Sequence, residues 1–278
     1  MRPIERPVRT FVTSKKQLSR TMTEAVRRDR GVLVGSYREL VERVAEVAFY
    51  NPEYVLFFRG QRKEHIESGA TTLYPGMFRM NTHRRIQSYP LRERYEKLAR
   101  MESRLLPIFR RKFDDRVSRN QLVRWSIIQH YGLCPTPFLD MSHSLLVASS
   151  FAFENATKSA KSVFLYVLGL PQVSGSISVV AEDNLQVIRL AGVCPPVTLR
   201  PYFQAGYLAA TFPLIDTIDE KTLYRRNEVD CANRLIAKFR LKNHTHFWDG
   251  FSPLQKSALY PDEENETTCR IVALKGAE

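Results

Sequence analysis

Apolar and polar positions alternate along the chain with two periods, one helical and one extended, and together they predict an α+β fold. Ser36 and Glu39 stand at the spacing of a capping box. The helix behind them places Leu40, Val44, Val47 and Ala48 on one face and stops at Asn51-Pro52. Residues 91–114 read as a long charged helix with Leu98, Met101, Leu105 and Ile108 as its apolar stripe. A second helix covers about 120–130, through Leu122, Trp125 and Ile128, and a third covers 144–155, whose small and apolar composition predicts burial on most sides. Extended runs are predicted at 55–58, 163–168, 177–180 and 185–188. Residues 71–76 read as an extended piece leading to a turn, and 133–139, with Pro135 and Pro137, as extended or looped. A further capping box at Thr217 and Glu220 predicts a helix running to about Lys242. Residues 1–20 carry two prolines and no apolar period, which predicts an arm or poorly ordered tail.

Composition narrows the class. Of 278 residues, 44% are apolar and 26% charged, enough to build a core. No run of 18 apolar residues offers a membrane span, and residues 1–7 do not resemble a secretory signal, so a soluble cytoplasmic protein is expected. Cys134, Cys194, Cys231 and Cys269 are too scattered for a zinc ribbon or a disulfide framework and are expected to be reduced. The six histidines have no metal-ligand spacing, and no metal site is expected. With no linker after residue 30, the economical organisation is a basic arm, 1–30, and one main domain, 31–278.

The net charge of +13 points to a partner. Residues 1–30 hold nine Lys/Arg against three Asp/Glu, and residues 91–125 hold eleven against five, so the surplus is concentrated in two segments. Clustered positive charge suits a nucleic acid, an acidic protein or a phosphate-bearing ligand. Tyr89, Tyr95, Phe109 and Phe113, interleaved with the basic residues, suit either base stacking or helix packing.

Phosphate-loop, dinucleotide-fingerprint, zincin and nucleophile-elbow motifs are absent. Two other constellations carry candidate chemistry. Arg59 ends an apolar run, and a guanidinium there needs an anion or several acceptors; Gly60 beside it leaves room for a turn or a close approach. The run from Gln129 through His130, Tyr131 and Gly132 to Thr136, Asp140, Ser142 and Ser144 is dense in polar groups just before a buried helix. Asp140, Ser142 or Ser144 can cap that helix, and His130 stands at a helix C-terminus, but capping accounts for only one of these residues.

Phe58-Arg59-Gly60-Gln61 resembles the signature of the FRG domain family. The piece from Leu73 to Arg79, the block from Gln129 to Ala152, Arg200-x-x-x-Gln204-x-Gly206 and Leu259-Tyr260-Pro261-Asp262 extend that resemblance over about residues 35–265. It implies an FRG domain over 31–278 with a C-terminal helical extension, and it does not by itself imply an activity. A second resemblance, to ADP-ribosyltransferases of the R-S-E type, rests on the order of an arginine on a strand, a serine at a strand end feeding a small-residue helix, and a third polar position. It implies a central mixed β core with a split-sheet arrangement surrounded by helices, and NAD as the substrate.

On that resemblance Arg59 contacts the NAD phosphate or ribose, Ser142 holds nicotinamide or supports the arginine, and Gln204 takes the third position. Gly60, Gln61, Thr72, His130, Tyr131 and Asp140 complete the NAD-binding set. A guanidinium suits bidentate contact with a pyrophosphate. A glutamine can orient a ribose hydroxyl, whereas stabilising oxocarbenium character takes a carboxylate, for which Asp140, Glu182 and Glu228 stand open. The implied function is an NAD-consuming toxin in a toxin–antitoxin or phage-defence setting, modifying RNA, DNA or a protein, its positive charge serving a nucleic-acid target or an acidic antitoxin. Two readings stand beside it. One is a non-catalytic module binding nucleic acid or a phosphorylated ligand; the other is a hydrolase with His130 and Asp140 as acid and base.

Overall fold

In a computed structural model of the chain, which describes residues 1–15, 17–79, 85–109, 115–154, 156–157, 159–214, 222–261 and 265–276, the apolar runs become strands of one eight-stranded mixed sheet surrounded by helices. Twelve strands are formed among the described residues. A small ribbon pairs β1 (Val8–Thr10) with β2 (Ser19–Thr21), and another pairs β5 (Ile66–Glu67) with β6 (Ala70–Thr71). The large sheet takes β3 (Val32–Val34), β4 (Val55–Gln61), β7 (Leu139–Ser142), β8 (Ser162–Leu170), β9 (Ile177–Val180), β10 (Leu185–Arg189), β11 (Gly206–Thr211) and β12 (Leu235–Lys242). Their order is β3-β12-β8-β4-β7-β11-β10-β9, antiparallel throughout except for the parallel pair β3–β12.

The joint between β4 and β7 organises the molecule. These two strands share one register pair, Phe58 with Ser142. Beyond it Arg59, Gly60 and Gln61 pair only with β8, and Leu139, Asp140 and Met141 pair only with β11. The sheet therefore parts along a seam between the two predicted constellations.

Helices cover both faces. In chain order they are α1 (Thr23–Arg28), α2 (Tyr37–Phe49), α3 (Ser88–Phe109), α4 (Asp115–Arg119), α5 (Gln121–Tyr131), α6 (Leu145–Phe153), α7 (Leu190–Val193), α8 (Arg200–Phe203), α9 (Lys256–Leu259) and α10 (Glu266–Ala273). One core joins α2 and α6 to the sheet through Leu40, Val44, Val47, Phe57, Ala148, Leu165 and Phe239. The other joins α3, α5 and α10 to the opposite face of β10 and β11 through Leu98, Leu105, Ile128, Ile188, Leu208 and Ile271. Each such side chain contributes roughly 1.5–3 kcal/mol on full burial. The predicted stripe of α3 is buried as expected.

Several expectations need correction. Ser36 does cap α2 by accepting from the Glu39 N–H, but the glutamate reaches back to the N–H of Gly35, and Ala48 is exposed; Tyr37 completes the buried face instead. The tail expected over 1–20 is built into the fold, with Met1, Ile4, Val8 and Phe11 buried in the first core. Asn51, expected only to stop a helix, holds that segment by accepting from the Arg9 N–H at 2.9 Å and donating to its carbonyl at 2.8 Å.

The helix expected to run to Lys242 is not there: residues 235–242 are β12, paired on both sides inside the sheet. Leu235, Ile236, Ala237, Phe239 and Leu241 are all buried, because both faces of this strand are covered and the extended alternation disappears. Its lysine, Lys238, is buried as well and donates to Glu64 at 2.6 Å and to Thr71 at 2.7 Å. The capping box at 217–220 lies outside the described residues.

Candidate functional site

The parted seam opens into a cavity of about 830 Å³, a volume within the usual range for small-molecule sites. Phe58 to Lys63 line one wall; Gln129 to Pro135 and Asp140 to Ser142 line another, and Arg200, Gln204 and Tyr260 close it from the later part of the chain. Eight of the predicted site residues therefore share one cavity: Arg59, Gly60, Gln61, His130, Tyr131, Asp140, Ser142 and Gln204. Thr72 is buried and does not line it; its N–H donates to the His65 carbonyl at 2.9 Å.

Arg59 spans the seam. Its Nη1 donates to the main-chain carbonyl of Asp140 at 2.5 Å, while its buried Nε has no hydrogen-bond partner among the described residues. Burial, reinforced by the neighbouring Arg79 cation, lowers its pKa to about 10, a shift that Asp140 only partly opposes. His65 is held down by burial and by the same two arginines. Gly60 is required by packing rather than by a turn. A Cβ there would lie 1.8 Å from the Ala148 carbonyl oxygen and 2.7 Å from the Ala152 nitrogen, so the bare backbone of β4 lets α6 approach directly.

The polar block before α6 divides its labour. Gln129 donates to the Asp140 carboxylate and accepts from the Thr136 hydroxyl, which in turn accepts from the Phe138 N–H at 3.3 Å. The other Asp140 oxygen lies 3.6 Å from Nδ1 of His130 and makes no hydrogen bond, and Nε2 of His130 is buried without a partner. The imidazole edge fits because residue 206 is glycine; a Cβ there would stand 2.9 Å from its Cε1. Ser144 is the residue that caps α6, accepting from Val147 at 3.3 Å. Ser142 donates to the Gln204 carbonyl at 2.7 Å and accepts from the Ser144 N–H at 3.0 Å, so its hydroxyl joins β7, α6 and the end of α8. Gln204 donates its amide to the Leu259 carbonyl.

Four residues with buried polar atoms lacking partners, Arg59, Gln61, His130 and Asp140, thus line the same cavity. Buried polar groups in folded proteins are almost always paired, and such a concentration makes this cavity the candidate site for a polar ligand. The lining is also strongly cationic. Arg59, Arg62, Lys63, Arg79, Lys97, Arg200 and Lys275 face two carboxylates, Asp140 and Glu154.

Some of the lining escaped the sequence reading. Arg79 could have been found as the last residue of the piece beginning at Leu73. Arg200 and Tyr260 lie in the later motifs: the Arg200 guanidinium sits between the Tyr131 ring, 4.6 Å from its centroid, and the Tyr260 ring, at 4.9 Å. Glu154, Lys97 and Lys275 carried no local signal. Among the described residues of the two basic segments, Lys97 alone lines the cavity. Several of their cations are instead paired internally, as in Arg27 with Asp230 at 2.7 Å and Arg124 with Glu102 at 2.7 Å. Phe109 is buried and Tyr95 packs against Trp125, so these two aromatics serve the helix core; Phe113 lies outside the described residues. Glu228 folds back onto the Arg225 N–H at 2.6 Å, and neither it nor Glu182 lines the cavity.

The fold and site define an α+β protein with a cationic cavity at a parted sheet. Residues 55–161 match the family model of the FRG domain. The match takes in both walls of the seam, from Arg59 to Ser142, and ends before Arg200, Gln204 and Tyr260. No curated protein and no solved structure matches the chain. Among the described residues no helix is long and apolar enough to cross a membrane.

Proposed function

We propose that the cavity binds NAD and that the protein is an ADP-ribosyltransferase acting through it. One observation carries the reading: among the described residues, the Arg59 guanidinium lines a cavity in which cations outnumber carboxylates seven to two, and its buried Nε lacks an acceptor. A pyrophosphate supplies paired oxygens for such a group, and the volume of about 830 Å³ accommodates a dinucleotide. In this reading Arg59 holds the pyrophosphate with Arg79 nearby, and Gln61 and His130 offer hydrogen bonds to the ribose or base. Ser142 and Gln204 then position the seam, since their groups are already bonded to the main chain. The cationic character of the lining as a whole favours a nucleic acid as acceptor.

A second reading, a phosphate-binding module without chemistry, is favoured by the bonding of Ser142 and Gln204 to backbone carbonyls, which removes two of the three groups to which the transferase resemblance gives catalytic roles. Incubation with NAD and total cellular RNA, DNA and protein separates the two. The transferase releases nicotinamide and leaves an added ADP-ribose detectable by mass spectrometry. NAD intact after long incubation with all three acceptors leaves the binding module.

A further inference from the structure

We infer that Glu154 is the catalytic carboxylate of this cavity and that Tyr260 is its positioning residue. The inference rests on the reading that NAD occupies the cavity. It begins from the scarcity of carboxylates in the lining, Asp140 and Glu154. Asp140 is committed to the seam: one oxygen accepts from Gln129, the other lies buried 3.6 Å from His130, and its main-chain carbonyl takes Arg59.

Glu154 is held differently. It follows the last turn of α6, where its N–H donates to the Ser150 carbonyl at 3.0 Å and fixes the backbone. Its Oε2 accepts from the Tyr260 hydroxyl at 2.7 Å. Oε1 has no hydrogen bond among the described residues. Tyr260 is held in turn, with its ring against Phe151 at 5.8 Å between centroids and under the Arg200 guanidinium at 4.9 Å. The same α6 packs its backbone on Gly60, next to Arg59. One helix therefore ties the carboxylate to the strand that carries the phosphate-binding arginine. A half-buried carboxylate with one oxygen fixed and one open, in a cavity where cations predominate, is suited to taking a proton from a neutral nucleophile.

The step balances with water as the nucleophile. The bond between C1′ of the ribose and the nicotinamide nitrogen breaks, and its electron pair leaves with neutral nicotinamide. The water oxygen forms a new bond to C1′, and the proton it sheds passes to Glu154. A hydroxyl or amine of a macromolecular acceptor reacts in the same way.

Measurement of NAD affinity by calorimetry and of nicotinamide release into water, on the full chain, tests this. Glu154→Gln keeps an oxygen for Tyr260, and its Kd for NAD is expected to stay within about twofold of the wild type while release falls about 100-fold or more. Tyr260→Phe is expected to lower release about tenfold at unchanged Kd, a separation that mere loss of packing would not give. Unchanged release from Glu154→Gln with normal affinity overturns the assignment and leaves the NAD reading standing. Failure of the wild-type chain to bind NAD overturns that reading and the assignment with it.

Discussion

Arg59 and Asp140 are joined across the parted sheet through a main-chain carbonyl, not through an ion pair: Nη1 of the arginine donates to the Asp140 oxygen at 2.5 Å, while the aspartate side chain bonds to Gln129. A carbonyl dipole satisfies a donor and leaves the charge uncompensated. The lowered pKa of Arg59, about 10, expresses that deficit, and an anionic ligand relieves it.

Arg59 is therefore expected to cost the ligand-free protein stability. The penalty falls on the charged form in the folded state. It is fully present below pH 10 and fades as the pH rises from about 10 towards the ordinary value of 12.5. Arg59→Met should raise the unfolding free energy near neutral pH by about 1–3 kcal/mol, read by denaturant titration. Millimolar pyrophosphate should stabilise the wild type and leave the variant unmoved. A variant several kcal/mol less stable than the wild type contradicts the idea of an uncompensated buried charge.

Gly60→Ala is expected to disrupt the seam, because its methyl group meets helix backbone and not a flexible side chain. The loss should reach about 3 kcal/mol or more, seen as a lowered thermal midpoint whether or not a ligand is present. A midpoint unchanged from wild type would mean that α6 can move away from β4 at little cost.

Ser142→Ala separates structural from chemical roles. It removes a buried donor to Gln204 and an acceptor for Ser144, and should cost about 1–3 kcal/mol of stability. At temperatures where the variant remains folded, its affinity for NAD should match the wild type within a few-fold. Loss of binding with stability intact would return Ser142 to the ligand.

The buried pair of Asp230 and Arg27 confers a dependence on pH. Burial raises the Asp230 pKa above its ordinary 3.8, against the pull of Arg27 and of the N–H groups of Leu73 and Ala232. The folded protein therefore holds the proton more tightly than the unfolded chain, and stability from this group is lost as the pH rises above about 4. Asp230→Asn lacks that titration. The wild type's stability relative to the variant should fall as the pH rises above about 4, as measured by denaturant titration at a series of pH values; an increase would mean that Arg27 and the two N–H groups outweigh burial.

Much of the fold was legible because its elements have one covered face. The stripe of α3, the cap of α2 and the apolar run of β8 all carry their period openly. β12 did not, since a strand covered on both faces has no alternation and its buried lysine mimics a polar helix position. β11, made largely of small residues, gave equally little signal. At the site, Arg59 and the block from Gln129 to Ser142 were legible as polar groups in apolar surroundings. Glu154 was not, because its role depends on Tyr260, 106 positions away. Excess charge pointed to residues 1–30 and 91–125, whereas the cavity's cations other than Lys97 come from the end of β4 and from scattered later positions.

Titration of the full chain with NAD in a calorimeter, alongside Arg59→Ala shown by circular dichroism to be folded, is the decisive measurement for an NAD-binding cavity built on Arg59. Saturable binding by the wild type that weakens with added salt, and none by the variant, is the expected result. Equal affinity in the two proteins, or no heat of binding in the wild type at millimolar NAD, would contradict it.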